Sequence, residues 1–267
     1  MNCLSIEDIR SILLGIAEKF HLICEKNGIP YYMLGGTMLG AVRHKGFIPW
    51  DDDMDFGIPR PFFHKFVALC EKVLEPPLNL ISYHNSDYAV LGYYKIEDTS
   101  TVIEEHFKTG NNGNLGVNID IFPLDYANEN KCFFSMNSFY RKLFKLQKLL
   151  FVDHTNRRQP QKALAIVAKS LLPLSKSTIP DFINNALSER NPEDYTMLCN
   201  FLGAWGLKEL IPLSVFGEPI LYDFEDTQFY GVQNNDEYLK RLYNDYMLLP
   251  PEDKRGPHQV HAYSIVG

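Results

Sequence analysis

Four carboxylates fall within five positions, Asp51, Asp52, Asp53 and Asp55, and both flanks of the run are apolar. Phe47, Ile48, Pro49 and Trp50 precede it, and Met54, Phe56 and Ile58 alternate with Asp53, Asp55 and Gly57. Carboxylates this close repel one another, and a fold keeps them when the charge is offset, commonly by a divalent cation. A solvated turn is the ordinary fate of an acidic run, but such a turn would not be framed by large hydrophobes. Read as a strand, the segment puts Asp53 and Asp55 on one face and packs Met54, Phe56 and Ile58 behind them. Asp52 then points to the other face, and Asp51 lies before the strand. A strand-borne carboxylate pair suits an oxygen-seeking ion such as Mg2+, with Mn2+ as the alternative. A calcium loop is excluded, because counting from Asp51 its glycine position is Phe56 and its bidentate-glutamate position is Phe62.

The surrounding pattern supplies a scaffold. Ser5 and Asp8 make a capping-box start, Ile9, Leu13, Ile16, Phe20 and Ile23 recur at helical spacing, and Gly28 and Pro30 stop the helix. Residues 31–34 read as a short buried strand closing at Gly35 and Gly36, where a backbone without Cβ can approach a phosphate. Residues 40–50 read as a loop carrying Arg43, His44 and Lys45, of which Arg43 best matches a phosphate fork and His44 has no assigned role. Residues 59–74 read as a helix with Phe62, Phe63, Phe66, Leu69 and Val73 inward and Cys70 in the core. Residues 88–96 and 101–105 read as two strands around a turn, with Lys95 near the end of the first. Val117, Ile119 and Ile121 then alternate with Asn118, Asp120 and Phe122. An acid in so apolar a strand is rarely buried unless paired or metal-bound. Asp120 is therefore the expected third carboxylate, brought beside Asp53 and Asp55 by sheet pairing, whereas Asp125 reads as a turn or cap.

The second half is less telling. Residues 133–150 are helical and basic, with Arg141, Lys142, Lys145 and Lys148 among Phe139, Leu143, Leu146 and Leu149. This pattern fits an amphipathic helix on the core, or a weak contact with a membrane surface or anionic glycan. Residues 161–172 and 180–189 are further helices, 212–217 a turn region, 218–230 short strands, and 235–247 the last helix.

Leu34, Gly35, Gly36 and Thr37, followed by Asp53, Met54, Asp55 and Phe56, resemble the signature of the nucleotidyltransferase superfamily. There a glycine-rich turn and a D-x-D strand hold metal and nucleotide phosphates. The longer string over residues 35–60, GGTMLGAVRHKGFIPWDDDMDFGIPR, is similar to the LicD family, whose signature fukutin-related proteins share. Residues 116–125 resemble that family's IDIFPLD strand. Residues 238–247, with Pro250, Pro251 and His258, resemble its closing helix and tail, except that Asn244 stands where glycine is expected.

The resemblance implies an α/β (α+β) fold, a nucleotidyltransferase-like small mixed sheet flanked by helices, with a helical C-terminal annex. It implies a catalytic core over residues 1–130 and an annex with a C-terminal segment over 131–267 completing the cleft, or one continuous domain. It implies Asp53, Asp55 and Asp120 as catalytic and metal-holding acids, and Gly35, Gly36, Thr37, Arg43 and Lys95 as nucleotide or phosphate contacts. The implied chemistry is Mg2+-dependent transfer of phosphocholine, or a related phosphorylated alcohol, from a CDP-alcohol donor. The acceptor is a glycan, free or lipid-linked, of the lipopolysaccharide, teichoic acid or capsule kind.

Composition narrows the partners. Of the 267 residues, Lys and Arg total 26 against 33 Asp and Glu, a net charge of −7, which disfavours general nucleic-acid binding. Five cysteines at 3, 24, 70, 132 and 199 are widely spaced and odd in number, so they read as reduced thiols and neither a disulfide framework nor a zinc site. No secretory leader and no apolar run near the roughly 20 residues of a membrane span is visible. The expected location is cytoplasmic, with peripheral contact at the inner face of the membrane as the alternative. The same metal site would also serve true nucleotidyl transfer with pyrophosphate release, and only the resemblance separates the two. A non-enzymatic nucleotide sensor is disfavoured because all three acids are present.

Overall fold

A computed structural model describes residues 2–86, 92–104, 115–129, 131–151, 167, 169, 171, 174–252, 255 and 261–265, with backbone alone at 104 and 131–137. After strand β1 (Asn2–Cys3), helix α1 (Ile6–Lys26) starts at a complete capping box. Ser5 Oγ accepts the Asp8 N–H at 3.1 Å, and Asp8 Oδ2 accepts the Ser5 N–H at 2.9 Å, so two otherwise orphaned donors are satisfied. Its buried stripe is Ile9, Leu13, Ile16, Ala17, Phe20, Ile23 and Cys24, and Gly28 leaves the helix at φ +59. Strand β2 (Tyr32–Met33) leads into helix α2 (Gly35–His44). Strand β3 (Asp55–Pro59), helix α3 (Arg60–Val73), and strands β4 (Leu78–Ile81), β5 (Tyr94–Asp98), β6 (Thr101–Glu104) and β7 (Val117–Ala127) complete the first half.

The main sheet has the order β2-β3-β7-β5-β4. It is mixed: β3 and β7 run parallel, and the other neighbours run antiparallel. Helices α1 and α3 pack against β7. Phe20 of α1 sits among Tyr31, Phe56 and Phe66, with ring centroids 4.7, 4.8 and 5.5 Å away. All four rings belong to the main core, and the edge-to-face pairs Phe20–Tyr31 and Phe20–Phe66 add to area burial.

The C-terminal part supplies helices and also strands. Helices α4 (Lys131–Phe151) and α5 (Thr178–Ser188) precede strands β8 (Met197–Cys199) and β9 (Leu210–Pro212). Strand β8 pairs with the far end of β7, Asp125–Ala127, and β9 pairs with β8. A short helix α6 (Leu213–Phe216), the hairpin β10 (Ile220–Phe224) and β11 (Thr227–Gly231), helix α7 (Asn235–Tyr243) and strand β12 (His261–Ser264) follow. Strand β12 lies between β1 and β6. Phe224, Phe229, Tyr238 and Leu239 share one core with Phe20 and Phe56, so both halves of the chain build it.

Several local expectations are corrected. Helix α3 turns Phe63, Phe66 and Cys70 inward, but Phe62 and Val73 are 36% and 40% exposed, because the buried stripe begins at Arg60. Asp125 is no turn residue. It lies inside β7, 1% exposed, where Arg60 donates Nε to Oδ1 at 2.7 Å and Nη2 to Oδ2 at 2.9 Å. A bidentate guanidinium is what makes so buried a carboxylate tolerable. Residues 40–44 are helical, and within 212–217, where a turn is expected, Pro212 ends β9 and Leu213–Phe216 form α6. Helix α7 ends at Tyr243, and Asn244 takes φ +60, which explains why glycine would suit that position. Cys24, Cys70 and Cys199 are buried and Cys3 is exposed, all as thiols. Most of the expected helix over 161–172, residues 88–91 and 105 of the expected strands, the Cys132 side chain and His258 lie outside the described residues. Among the described residues, no helix is long and apolar enough to cross a membrane.

Candidate active site

The site forms where α2 meets the ends of β3 and β7. Leu34 donates its N–H to the Asp55 carbonyl at 2.9 Å, and Asp55 donates its own N–H to Thr37 Oγ1 at 2.8 Å. These bonds clamp the first turn of α2 onto β3, so Gly35 and Gly36 open a helix and do not form a plain turn. Leu34 is the N-cap and supplies no side-chain acceptor. The positive end of the helix dipole therefore faces the acids, an arrangement that favours anions. Gly35 has φ +48, and a Cβ there would lie 3.6 Å from Tyr243 Oη and 3.7 Å from Asp55 Oδ2. A Cβ on Gly36 would lie 2.9 Å from Asp51 Oδ2. The glycine pair thus lets two carboxylates and a phenol crowd the helix start.

The sheet register brings the distant acid in. Asp55 and Asp120 are cross-strand partners in the parallel β3–β7 ladder, and Asp120 is also opposite Lys95 in β5. Lys95 Nζ donates to Asp120 Oδ1 at 2.5 Å and to Asn118 Oδ1 at 2.9 Å, and lies 5.5 Å from the centre of the Tyr93 ring. Regular strand pairing begins only at Asp55, so Asp53 precedes β3 and is exposed. Burial, then the like charges of Asp53 and Asp120, push the Asp55 carboxyl well above the ordinary carboxylate range, and Lys95 only partly opposes them. The loop before the strand is held from α1: Arg10 donates Nε and Nη2 to the Asp51 carbonyl and Nη2 to the Ile48 carbonyl.

These residues border a cavity of about 1110 Å³. Its walls include Gly35, Gly36, Arg43, Asp51, Asp53, Asp55 and Asp120, together with groups from the second half. Thr37 and Lys95 are not among the lining residues: Thr37 is buried against β3, and Lys95 sits behind Asp120. Arg43 does line the cavity but lies in the last turn of α2. It donates Nη1 to the Tyr246 carbonyl at 2.7 Å and Nε to His44 Nε2 at 2.9 Å. Burial and the Arg43 charge hold His44 below the ordinary imidazole range, consistent with its accepting that bond.

The other wall carries part of the basic face of α4, for which contact with an anionic glycan is one of the expectations. Arg141, Lys145 and Lys148 follow one face of α4 onto the cavity, with Phe144 between them. Their spacing was readable, but what the face points at was not. Tyr238, Tyr243, Trp205 and Glu209 also line it, and the Gly35 N–H donates to Tyr238 Oη at 3.0 Å. Asp51, expected to lie before the strand and outside the metal-holding set, lines it too, since the chain turns at Ile48–Asp51.

Among the described residues, no three His, Cys, Asp or Glu side chains close into a ready-made ligand set. Mg2+ is commonly held by one or two carboxylates while substrate phosphates and water complete its shell. Asp55 with its strand partner Asp120, flanked by Asp53 and an uncapped helix start, fits that mode. The donor set is all oxygen, and the crowding of charge on Asp55 is what a cation would relieve.

The family described as LicD/FKTN/FKRP, nucleotidyltransferase domain, matches residues 28–176, which contain all three acids and the glycine pair. The lipopolysaccharide cholinephosphotransferase LicD of Haemophilus influenzae is 29% identical over 279 aligned positions, spanning the whole of both chains. The ribitol 5-phosphate transferase FKRP of Homo sapiens and that of Mus musculus are each 41% identical over 51 residues, 19% of this chain and 10% of theirs.

Proposed function

Because the chain belongs to the LicD/FKTN/FKRP family of nucleotidyltransferase-domain proteins, we propose that it transfers a phosphorylated alcohol, phosphocholine foremost, from a CDP-activated donor to a hydroxyl of a cell-surface glycan or its precursor. One observation carries the reading: Asp55 and Asp120 are in register on adjacent parallel strands, facing the uncapped start of α2. The full-length similarity to a cholinephosphotransferase favours choline as the alcohol, and the shorter similarity to ribitol phosphate transferases makes a polyol the second choice.

In this reading Asp55 and Asp120, with Asp53 beside them, are the residues that would hold Mg2+. When bound, that ion would supply positive charge that neutralises charge developing on the departing nucleotide. The start of α2 turns the positive end of its dipole toward the phosphates. Lys95 holds Asp120 in place from behind. The acceptor hydroxyl oxygen attacks the phosphorus bearing the alcohol, that phosphorus–oxygen bond to CMP breaks, and CMP leaves. Lys95 occupies one oxygen of Asp120, so Asp53, exposed at the cavity wall, is assigned the hydroxyl proton. Arg141, Lys145 and Lys148 form a cationic wall suited to an anionic glycan.

The test is incubation with Mg2+, a lipopolysaccharide-type oligosaccharide and each of several CDP-alcohols, with CMP and pyrophosphate read separately. CMP release with transfer of label from the alcohol supports the proposal. Pyrophosphate release from CTP, with no CMP from any CDP-alcohol, would replace it with nucleotidyl transfer.

A further inference from the structure

On the cavity wall an aromatic corner stands beside a buried acid. The rings of Trp205 and Tyr243 stand nearly perpendicular, 76° apart, with centroids at 4.9 Å. Glu209, 9% exposed, lies beside them, and its Oε1 accepts the Trp205 backbone N–H at 2.9 Å. Gly203 presses on the same carboxylate, since a Cβ there would fall 1.9 Å from Oε1 and 2.0 Å from Oε2. Tyr243 links this corner to the acids, because its hydroxyl reaches the position of a Gly35 Cβ from one side and Asp55 reaches it from another. Trp205, Tyr243 and Glu209 all line the cavity.

We propose that Trp205, Tyr243 and Glu209 form a subsite for a quaternary ammonium head group, so that the cavity selects choline-type alcohols over neutral polyols. The proposal rests on the phospho-alcohol reading and names its alcohol subsite. A trimethylammonium group donates no hydrogen bonds, and what recognises it is aromatic faces and a carboxylate. A polyol would instead need several hydrogen-bonding partners, which two rings do not supply. Trp205 already accepts one cation, since Lys208 Nζ lies 5.5 Å from its ring centre while donating to the Leu242 carbonyl at 3.0 Å. Tyr243 is the second wall. Among the described residues Arg141 is the cation that faces Glu209, yet burial still pushes the Glu209 carboxyl up to about 7. The acid therefore sits in a place where a further positive charge is welcome.

The chain has two tryptophans, Trp50 and Trp205, so in a Trp50→Phe protein Trp205 is the sole indole reporter. Choline and phosphocholine should quench it saturably, the neutral isostere 3,3-dimethylbutanol should not, and Glu209→Gln in that background should weaken choline binding about tenfold. In turnover, Trp205→Leu should lower the ratio of CDP-choline to CDP-ribitol use about tenfold, and Trp205→Phe, which keeps a ring, should restore much of it. Equal quenching by the neutral isostere, or an unchanged donor ratio in Trp205→Leu and Glu209→Gln, would overturn the subsite. Failure of the wild type to release CMP from any CDP-alcohol would instead sink the transferase reading, and the fluorescence titration would still decide the subsite.

Discussion

Asp55 is fixed by its backbone, whose N–H goes to Thr37 and whose carbonyl accepts from Leu34. Its position does not depend on its carboxylate, so Asp55→Asn should fold. Turnover should fall by on the order of 10² to 10³ or more, the usual loss for a group that supports transition-state charge. With a chelator present, thermal stability should hold or rise. The folded carboxyl is raised above its ordinary value of 3.8, so its ionisation opposes folding as pH climbs past that value, and asparagine removes the cost. A thermal midpoint that falls together with turnover would make Asp55 a structural residue. Glu209 gives a second sign test. Its folded value of about 7 stands above 4.5 for the unfolded chain. The folded state thus binds the extra proton, and the associated stability, full below 4.5, is lost as pH rises through 7. Glu209→Gln should gain on wild type across that window by roughly 3 kcal/mol at most. Urea midpoints at pH values on either side would check it, and parallel curves would refute it.

The ion pair of Arg60 and Asp125 joins elements that the sequence sets far apart. Arg60 begins α3, Asp125 lies in β7, and Arg60 Nη1 also donates to Asn184 Oδ1 of α5 at 2.8 Å. Both partners are nearly fully buried. Arg60→Met should cost about 3 to 5 kcal/mol, because Asp125 is left as an uncompensated buried charge. Adding Asp125→Leu should recover much of that loss, since replacing a whole buried pair by apolar groups is often close to neutral. A double-mutant cycle in urea measures the coupling, and simple additivity would show that the pair is not the joint between α3 and β7.

One core spans both halves of the chain. Phe229 and Phe224 from the hairpin meet at 5.8 Å, and Phe229 meets Phe56 of β3 at 5.8 Å. Strand β12 bridges β1 and β6, and Tyr238 of α7 accepts the Gly35 N–H. Residues 1–130 expressed alone should therefore be loosely packed, with helical far-ultraviolet dichroism but weak near-ultraviolet signal and strong dye binding. A cooperative, well-packed fragment would establish an autonomous N-terminal domain.

What the sequence determined by itself is local and periodic. The capping box at Ser5, the stripe from Ile9 to Ile23, the alternation around Met54 and Phe56, and the lone acid at Asp120 all express their roles within a few residues, where helix and strand periods operate. The similarity over residues 35–60 carried the family. The tertiary structure alone decided what depends on register and facing. It paired Asp55 with Asp120, and it set Lys95 against Asp120 without lining the cavity. It buried Asp125 on Arg60, and it turned the basic face of α4 and the residues around Trp205 and Tyr243 toward the acids. Those contacts join positions tens to hundreds of residues apart, and no local period encodes which distant surface a polar face will meet.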